Sequence, residues 1–512
     1  MGQPEQGHAS PRRIVIAGHG LAAWMSAVVL ARALDTERYR VTLVPGQPDD
    51  PASPFADGDA TLPWREPCHP ALELDETRVI VQTGSAFTWG IALSGWNGPD
   101  ATWFHPFGSL GANLGPIPFP QMVMKLRMEG VHLRLADFSL AALAAQTSRF
   151  QRPSRDPREV LSSCDYGLHL NIQKLIELLR ASAAGVMVSK GRLQSPDIGA
   201  DGMIAALNTD AGERVPGDLF LDCTGPAARL IGQLSGDHWQ DWADWLPCDR
   251  VMSASFLTLM APEPFSHAQA TGGGWTRHLP LHGQTQLNSV FQSACMTEAE
   301  NERLLEQLAD GNPLRNLNSQ PVRFGRRQAS WLGNCIALGS SAALIDPLAV
   351  TNLQQSRAGL NQLLQLLPGE LPATCEAAEY NRRTAAQLDN ARDFAILHYR
   401  LNNRPGEPFW DDCRSGALPD SLDYRVRLYR ARGRVALYDE EPLDESSWIS
   451  LLDEHGVAPR QYGAIADGLK TSVLEAHVRN VRRVMLDTVR NMPPHADYLY
   501  ALHGKQPGRV PS

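Results

Sequence analysis

The residues best placed for chemistry lie near the start of the chain. Gly18-His19-Gly20-Leu21-Ala22-Ala23 is a GxGxxA run set directly between an apolar, β-branched stretch and a helical one. In such a run the first glycine permits a tight turn and the second lets backbone N–H groups approach a pyrophosphate. The small third residue lets helix and strand pack closely. The phosphate then rests on the positive end of the helix. The chemistry implied is dinucleotide binding by Gly18, Gly20, Leu21, Ala22 and Ala23. The plainer alternative is a glycine turn that only packs a strand on a helix, and the context favours the dinucleotide. One part departs from the pattern. Val41-Thr42-Leu43-Val44 runs into Pro45, where such a site expects an acid for the ribose hydroxyls, so an acid elsewhere is needed for that part.

The elements that must position this turn are legible around it. Residues 13–17 form a strand, 21–34 a helix and 39–44 a second strand, the start of a parallel βαβ unit. A loop rich in Pro, Gly and Asp follows over 45–63. Short β-like runs appear at 79–82 and 256–260. Further strands at 219–222 and 335–338 each lead into a small-residue turn and then a helix. From about residue 376 the pattern turns helical, with apolar residues at three- and four-residue spacing over 377–399 and 469–492. Pro493-Pro494 ends the last long helix. The expectation is an α/β body over residues 10–415, with a mostly helical C-terminal module over 416–512.

Composition narrows the partners. The chain has 512 residues, 43% of them hydrophobic and 20% charged, with a net charge of -9. That is a soluble globular balance, and the acidic sign argues against nucleic acid. No run of eighteen apolar residues argues for a membrane span, and the polar first residues carry no signal peptide. Eight cysteines without zinc-like spacing imply reduced, mostly buried thiols, a cytoplasmic setting and no metal. Cys223 falls inside an apolar strand, where packing explains it. The basic clusters at Arg425 to Arg434 and Arg479 to Arg483 are expected to be exposed helix faces. A homodimer is the general default for oligomeric state.

Several motifs in order along the chain resemble those of the flavin-dependent tryptophan halogenases. Trp24-Met25 follows the glycine run. Gly58-Asp59-Ala60-Thr61-Leu62-Pro63 resembles that family's GEATIP segment, and Trp103-Phe104-His105-Pro106-Phe107-Gly108 its FHxFG segment. Leu221-Asp222-Cys223-Thr224-Gly225 is similar to IDCSG, and residues 339–351 to GLSSxFLEPLEST. Ala391-Arg392-Asp393-Phe394, His398-Tyr399 and Pro408-Phe409-Trp410 complete the set. The resemblance covers nearly the whole chain. It implies an FAD-binding Rossmann-like body of the single-component flavin monooxygenase type, with a helical module over the substrate side. It also implies FAD reduced by a separate flavin reductase, a small aromatic substrate, and FAD contacts from Asp59, Ala60, Ser340, Thr351 and Asn352.

The same resemblance exposes what is missing. In the family, reduced flavin and oxygen convert chloride or bromide to hypohalous acid. A lysine then binds or orients the electrophile, and a glutamate supports proton loss from the arene. The lysine's position is Thr88 here, and the glutamate's is Ala349, followed by Val350. The WxWxIP element is Trp275-Thr276-Arg277-His278-Leu279-Pro280, with Arg277 for the second tryptophan. The family's Thr-Gly halide turn is Thr351-Asn352, whose backbone N–H groups can still face an anion.

The side chains expected to line the substrate cavity are Thr88, His105, Phe107, Trp89 and Trp103, with His105 and Phe107 against the substrate. His105, Thr88 and Arg277 are the candidates for catalysis. A lone histidine is more often structural, and Trp89 reads better as core. Asp346, placed before Pro347, suits a turn, and Arg392 with Asp393 a structural pair. Three functions stay open at this point. The first is an FAD-dependent oxidoreductase that oxygenates or dehydrogenates an aromatic, indole-like substrate. The second is a halogenase with a rearranged site, and the third a flavin-binding protein without turnover. An arginine reaching the position of the lost lysine would favour the second, and Arg277 is the residue to watch.

Overall fold

The computed structural model describes residues 11–50, 53–55, 57–61, 63, 74–348, 350–369 and 371–504. Its organising layer is a six-stranded sheet, ordered Trp331–Leu332, Cys335–Ala337, Leu219–Asp222, Arg12–Ala17, Tyr39–Val44 and Met187–Val188. The five strands from Cys335–Ala337 onward run parallel. The expected βαβ unit is present: Arg12–Ala17 pairs with Tyr39–Val44, Ile14 opposite Val41, across the helix Leu21–Ala33. That helix buries every residue from Leu21 to Leu30, as a helix covered on all sides must.

A second, seven-stranded sheet runs Arg315–Pro321, Arg250–Leu257, Gln284–Phe291, Gly274–Leu281, Ser266–Thr271, Gly90–Ser94 and Thr102–Pro106. Between the two sheets a small one joins Gly58–Ala60, Gly167–Asn171 and Ala86–Thr88. The helices Thr374–Arg400, Pro408–Ser415, Asp420–Arg432, Glu445–Glu454, Thr471–Asn491 and His495–Leu502 form the helical portion. Thr471–Asn491 buries Leu474, Val478, Val481, Met485 and Val489, one stripe at helical spacing. A single apolar cluster runs from Ile14 through Trp89 and Phe394 to Val478 and Leu499, so the helical portion shares the core of the body.

Several expectations are corrected. Residues 79–82 are not strand-like but lie in the helix Glu76–Thr83, where Asp75 accepts from the Arg78 N–H and Gly84 closes the end at φ 68°. Those caps override the β preference of Val79, Ile80 and Val81. The strand expected to reach Met260 stops at Leu257, and Leu259 and Met260 are 96% and 79% exposed. The loop over 45–63 contains the strand Gly58–Ala60. Leu219–Asp222 leads only into the 3₁₀ turns Gly225–Ala227 and Ile231–Gln233, because Pro226 and the left-handed Ala228 (φ 42°) block an α-helix. Arg425 is not an exposed helix face. It is fully buried on the Trp448 ring, 3.7 Å from its centroid, and paired with Glu441 at 2.7 Å. Cys295 and Cys375 are exposed, whereas Cys164, Cys223, Cys248 and Cys335 are buried. Cys68 lies outside the described residues.

Candidate functional site

Two cavities share a wall formed by residues 59–61 and 351–352. The first is a cleft of about 920 Å³ at the carboxyl ends of the parallel strands, lined by Gly20, Leu21, Ala22, Asp59, Ser340 and Asn352 among others. This is where parallel α/β sheets take their ligands. Gly18 has φ 137°, and a Cβ there would fall 2.2 Å from the Cys223 carbonyl oxygen. Only glycine lets the first strand turn so close to its neighbour. A Cβ on Gly20 would meet nothing within 4 Å, and Gly20 begins the helix Leu21–Ala33 without a side-chain cap. The turn therefore presents open space and uncapped amides, which suit a pyrophosphate. Gly18 and Ala23 stand behind this surface as packing.

Sequence reasoning missed part of the cleft. The helix Ile172–Ala181 contributes Gln173, Glu177 and Arg180, and the turn after Leu219–Asp222 contributes Thr224 and Gly225. The Arg180 guanidinium lies 5.2 Å from the Trp24 ring centroid, which fixes it beside the glycine turn. The acid missing at Pro45 has a neighbour in Asp50. It is buried, accepts from the Gln47 N–H at 2.8 Å and pairs with Arg229. Its carboxylate also faces His19, which lines the cleft and whose pKa is lowered, chiefly by burial. No local pattern pointed to Asp50, because a loop brings it back to the strand end.

The second cavity is narrow and brings together the catalytic candidates Thr88, His105 and Arg277, with Phe107, Thr351 and Phe394 also lining it. Asp59, Ala60 and Thr61 separate the cavities. Asp59 opens on the cleft and the next two residues on the inner cavity; likewise Asn352 faces the cleft and Thr351 the inner cavity. Ala60 and Thr351 are thus on the inner side rather than in the cleft. Ala349 lies outside the described residues.

The wall is charged. Arg277 Nη2 lies 3.9 Å from Asp59 Oδ1 and donates to Asn288 Oδ1 at 3.3 Å. Asp59 also accepts from the N–H groups of Ala60 and Leu353 and from the Thr351 hydroxyl. Burial pushes Asp59 up to about 6 even so, with Arg277 opposing the rise. Thr351 caps the helix Asn352–Gln365, so the carboxylate also meets a helix N-terminus.

Thr88 is committed elsewhere: its hydroxyl donates to the Gly90 carbonyl at 3.0 Å. His105 is pushed down to about 4 by burial, and its Nδ1 has no hydrogen-bond partner among the described residues. It is therefore a neutral imidazole near pH 7, held edge-on to Trp103 and Phe394. Trp89 is core, its indole N–H donating to the Arg149 carbonyl. Trp103 stacks on His398, away from the cavity lining.

Asp346 holds the turn expected of it, accepting from the Leu348 N–H at 3.0 Å. It does more, accepting from Tyr399 at 2.6 Å and from the Trp275 indole at 3.3 Å, and burial pushes it to about 6. Arg392 and Asp393 form the expected buried pair at 2.7 Å. Among the described residues no cluster of His, Cys, Asp and Glu could hold a metal ion. Nor is any helix there long and apolar enough to cross a membrane.

Comparison with known proteins decides the family. Residues 13–471 match the family described as tryptophan halogenase. The chain belongs to the tryptophan halogenase family. It is therefore a flavin-dependent enzyme with an FAD-binding fold. Among solved structures, the flavin-dependent halogenase BrvH from Brevundimonas sp. BAL3 superposes with a TM-score of 0.91 at 32% identity, covering 96% of this chain and 99% of that one. A flavin-dependent halogenase from Xanthomonas campestris gives 0.90 at 33% identity, covering 98% and 100%. The tryptophan 7-halogenase RebH of Lentzea aerocolonigenes is 27% identical over 450 residues, 82% of each chain.

Proposed function

We propose that this enzyme oxidises a small aromatic, indole-like substrate in the inner cavity, using oxygen and FAD supplied reduced by a separate flavin reductase. The observation that carries the reading is the shared wall, where Asp59 faces the FAD cleft and its partner Arg277 faces the inner cavity. FAD would be held at the glycine turn by Gly20, Leu21 and Ala22, with Gly18 and Ala23 packing the turn from behind. Asp59, Ala60, Ser340, Thr351 and Asn352 would hold it at the wall, with Asp50 within reach of the adenosine end. The chemistry that reduced FAD supplies with oxygen is a two-electron oxidant.

The remaining work belongs to the chain. His105 and Phe107 offer ring surfaces to a flat substrate, and the neutral His105 imidazole can accept or donate a hydrogen bond. Thr88 contributes no charge. Burial lowers the pKa of Arg277 while Asp59 and Asp346 oppose that fall, and a charge-assisted hydrogen bond from its guanidinium counts for much in so buried a place.

That guanidinium favours a second reading, halogenation in which Arg277, on the same cavity wall as Thr88, takes over the role of the lysine that Thr88 replaces, with chloride or bromide as co-substrate. The two separate in one experiment. Purified enzyme, FAD, a flavin reductase and an NADH supply are incubated with an indole and phenol panel, with and without bromide, and the products are weighed by mass spectrometry. A product heavier by oxygen in both conditions supports oxygenation; a brominated product abolished in Arg277→Gln supports halogenation. No oxidised product across the panel would overturn both.

A further inference from the structure

On the far side of Tyr399 from the inner cavity lies a third cavity, about 510 Å³, that the reaction does not use. Trp245, Tyr399 and Phe409 line it, with Arg400 and Ala417. Trp245 spends its indole N–H on the Ala417 carbonyl at 2.9 Å, and the Arg392 guanidinium lies 5.1 Å from its ring centroid. Tyr399 spends its hydroxyl on Asp346. Tyr399 and Phe409 are packed against Trp410 and form a buried apolar floor, while the half-buried Trp245 is the aromatic ring that the cavity can reach.

Arg400 is the polar exception. Among the described residues no carboxylate pairs with it, and its Nη1 is buried without a hydrogen-bond partner. Burial and the nearby Arg430 both lower its pKa, the mark of a cation without a counter-charge. Arg400 is half-buried and carries no paired acid among the described residues, and its planar fork matches a carboxylate in a bidentate grip. Asp244 and Asp412 also line the cavity, but both are exposed and screened by water, and they disfavour a ligand with more than one negative charge.

We propose that this cavity is a second small-molecule site, taking a flat aromatic monocarboxylate with its ring against Trp245 over the apolar floor of Tyr399 and Phe409 and its carboxylate on Arg400. The site is separate from the inner cavity, because the Tyr399–Asp346 hydrogen bond stands between them. It does not depend on which oxidation the enzyme performs.

The test is isothermal titration of the FAD-loaded full chain with indole-3-acetate, beside 3-methylindole as the same ring without the carboxylate. Arg400→Gln is expected to weaken indole-3-acetate at least tenfold and to leave 3-methylindole unchanged. Ala417→Phe, which fills the cavity from an exposed position, is expected to abolish the same indole-3-acetate binding. Both variants lie outside the inner cavity, so a loss in either is distinct from any failure of the catalytic reading. Wild-type protein that does not bind indole-3-acetate would overturn the proposal. So would binding that survives both substitutions unchanged, or binding lost only in Phe107→Ala.

Discussion

Arg277 and Asp59 face each other at 3.9 Å in the wall between two cavities, with side chains only 3% and 2% exposed. Neither charge has water to fall back on, so each depends on the other. Removing one partner of a buried pair typically costs about 3–5 kcal/mol, because the other charge is left behind. The separation here is longer than a hydrogen bond, and Asn288 and backbone amides share the load. Arg277→Gln should therefore lose about 2–3 kcal/mol, measured by urea unfolding. The double variant Arg277→Gln/Asp59→Asn should lose less than the sum of the singles. Strict additivity would show that the two do not interact.

The glycine turn makes a paired prediction. Gly18→Ala places a Cβ 2.2 Å from the Cys223 carbonyl at φ 137°, so it should lower Tm strongly and fold poorly. Gly20→Ala meets nothing within 4 Å but puts a methyl group where the phosphate would approach. Its Tm should stay within a degree or two of wild type on the scale of about 0.5 kcal/mol for an unstrained substitution. Its flavin absorbance after reconstitution and desalting should fall at least tenfold in apparent affinity. Equal FAD retention in Gly20→Ala and wild type would remove the glycine turn from the binding site.

What the sequence disclosed follows the range of each interaction. The glycine turn, the βαβ unit and the stripe on Thr471–Asn491 are local patterns, so they were legible. Residues 79–82 misled because β-branched side chains outweighed the cap at Asp75 and the glycine at position 84, two single-residue signals. Arg425 looked like part of a basic surface because its partners, Glu441 and Trp448, arrive from the following loop and the helix Glu445–Glu454. The inner cavity was legible by its family motifs, which gathered Thr88, His105, Phe107 and Arg277. The wall was not. That Asp59 lies against Arg277, and Asp50 near the glycine turn, depends on chain segments distant in sequence.

Burial also sets the response to acid. His105, His278, His455 and His495 are pushed down to about 4, and His169 to about 3, by burial. In the unfolded chain they titrate near 6.5. Between about pH 6.5 and 4 the unfolded state binds more protons, so stability must fall as pH falls through this window. Asp59 and Asp346 act the other way. Raised to about 6, they take up protons first in the fold and add stability as pH drops from about 6 to 4. The histidines outnumber these two carboxylates, so the net expectation is a lower urea midpoint at pH 5 than at pH 7. A midpoint that rises toward pH 5 would mean that these imidazoles are not held neutral in the fold.

The last prediction concerns the support of the inner cavity. Tyr399 donates to Asp346 at 2.6 Å, and the Trp275 indole bonds to both, at 3.3 Å to Asp346 and 3.0 Å to the Tyr399 hydroxyl. Asp346 in turn holds the Leu348 N–H, and Pro347 and Leu348 line the inner cavity. Tyr399→Phe removes one donor and no volume from the ring, leaving a buried carboxylate with less compensation. The expected cost is about 1–3 kcal/mol of stability, the penalty of an unsatisfied buried acceptor. The Asp346 carboxyl should then move further above its ordinary range, since its largest opposing influence is that hydroxyl. Tyr399→Phe/Asp346→Asn, which removes the charge as well, should recover part of the loss. If Tyr399→Phe unfolds at the wild-type urea concentration, the bond does not support the cavity wall, and the turn at Asp346 stands on the Leu348 N–H and the Trp275 indole.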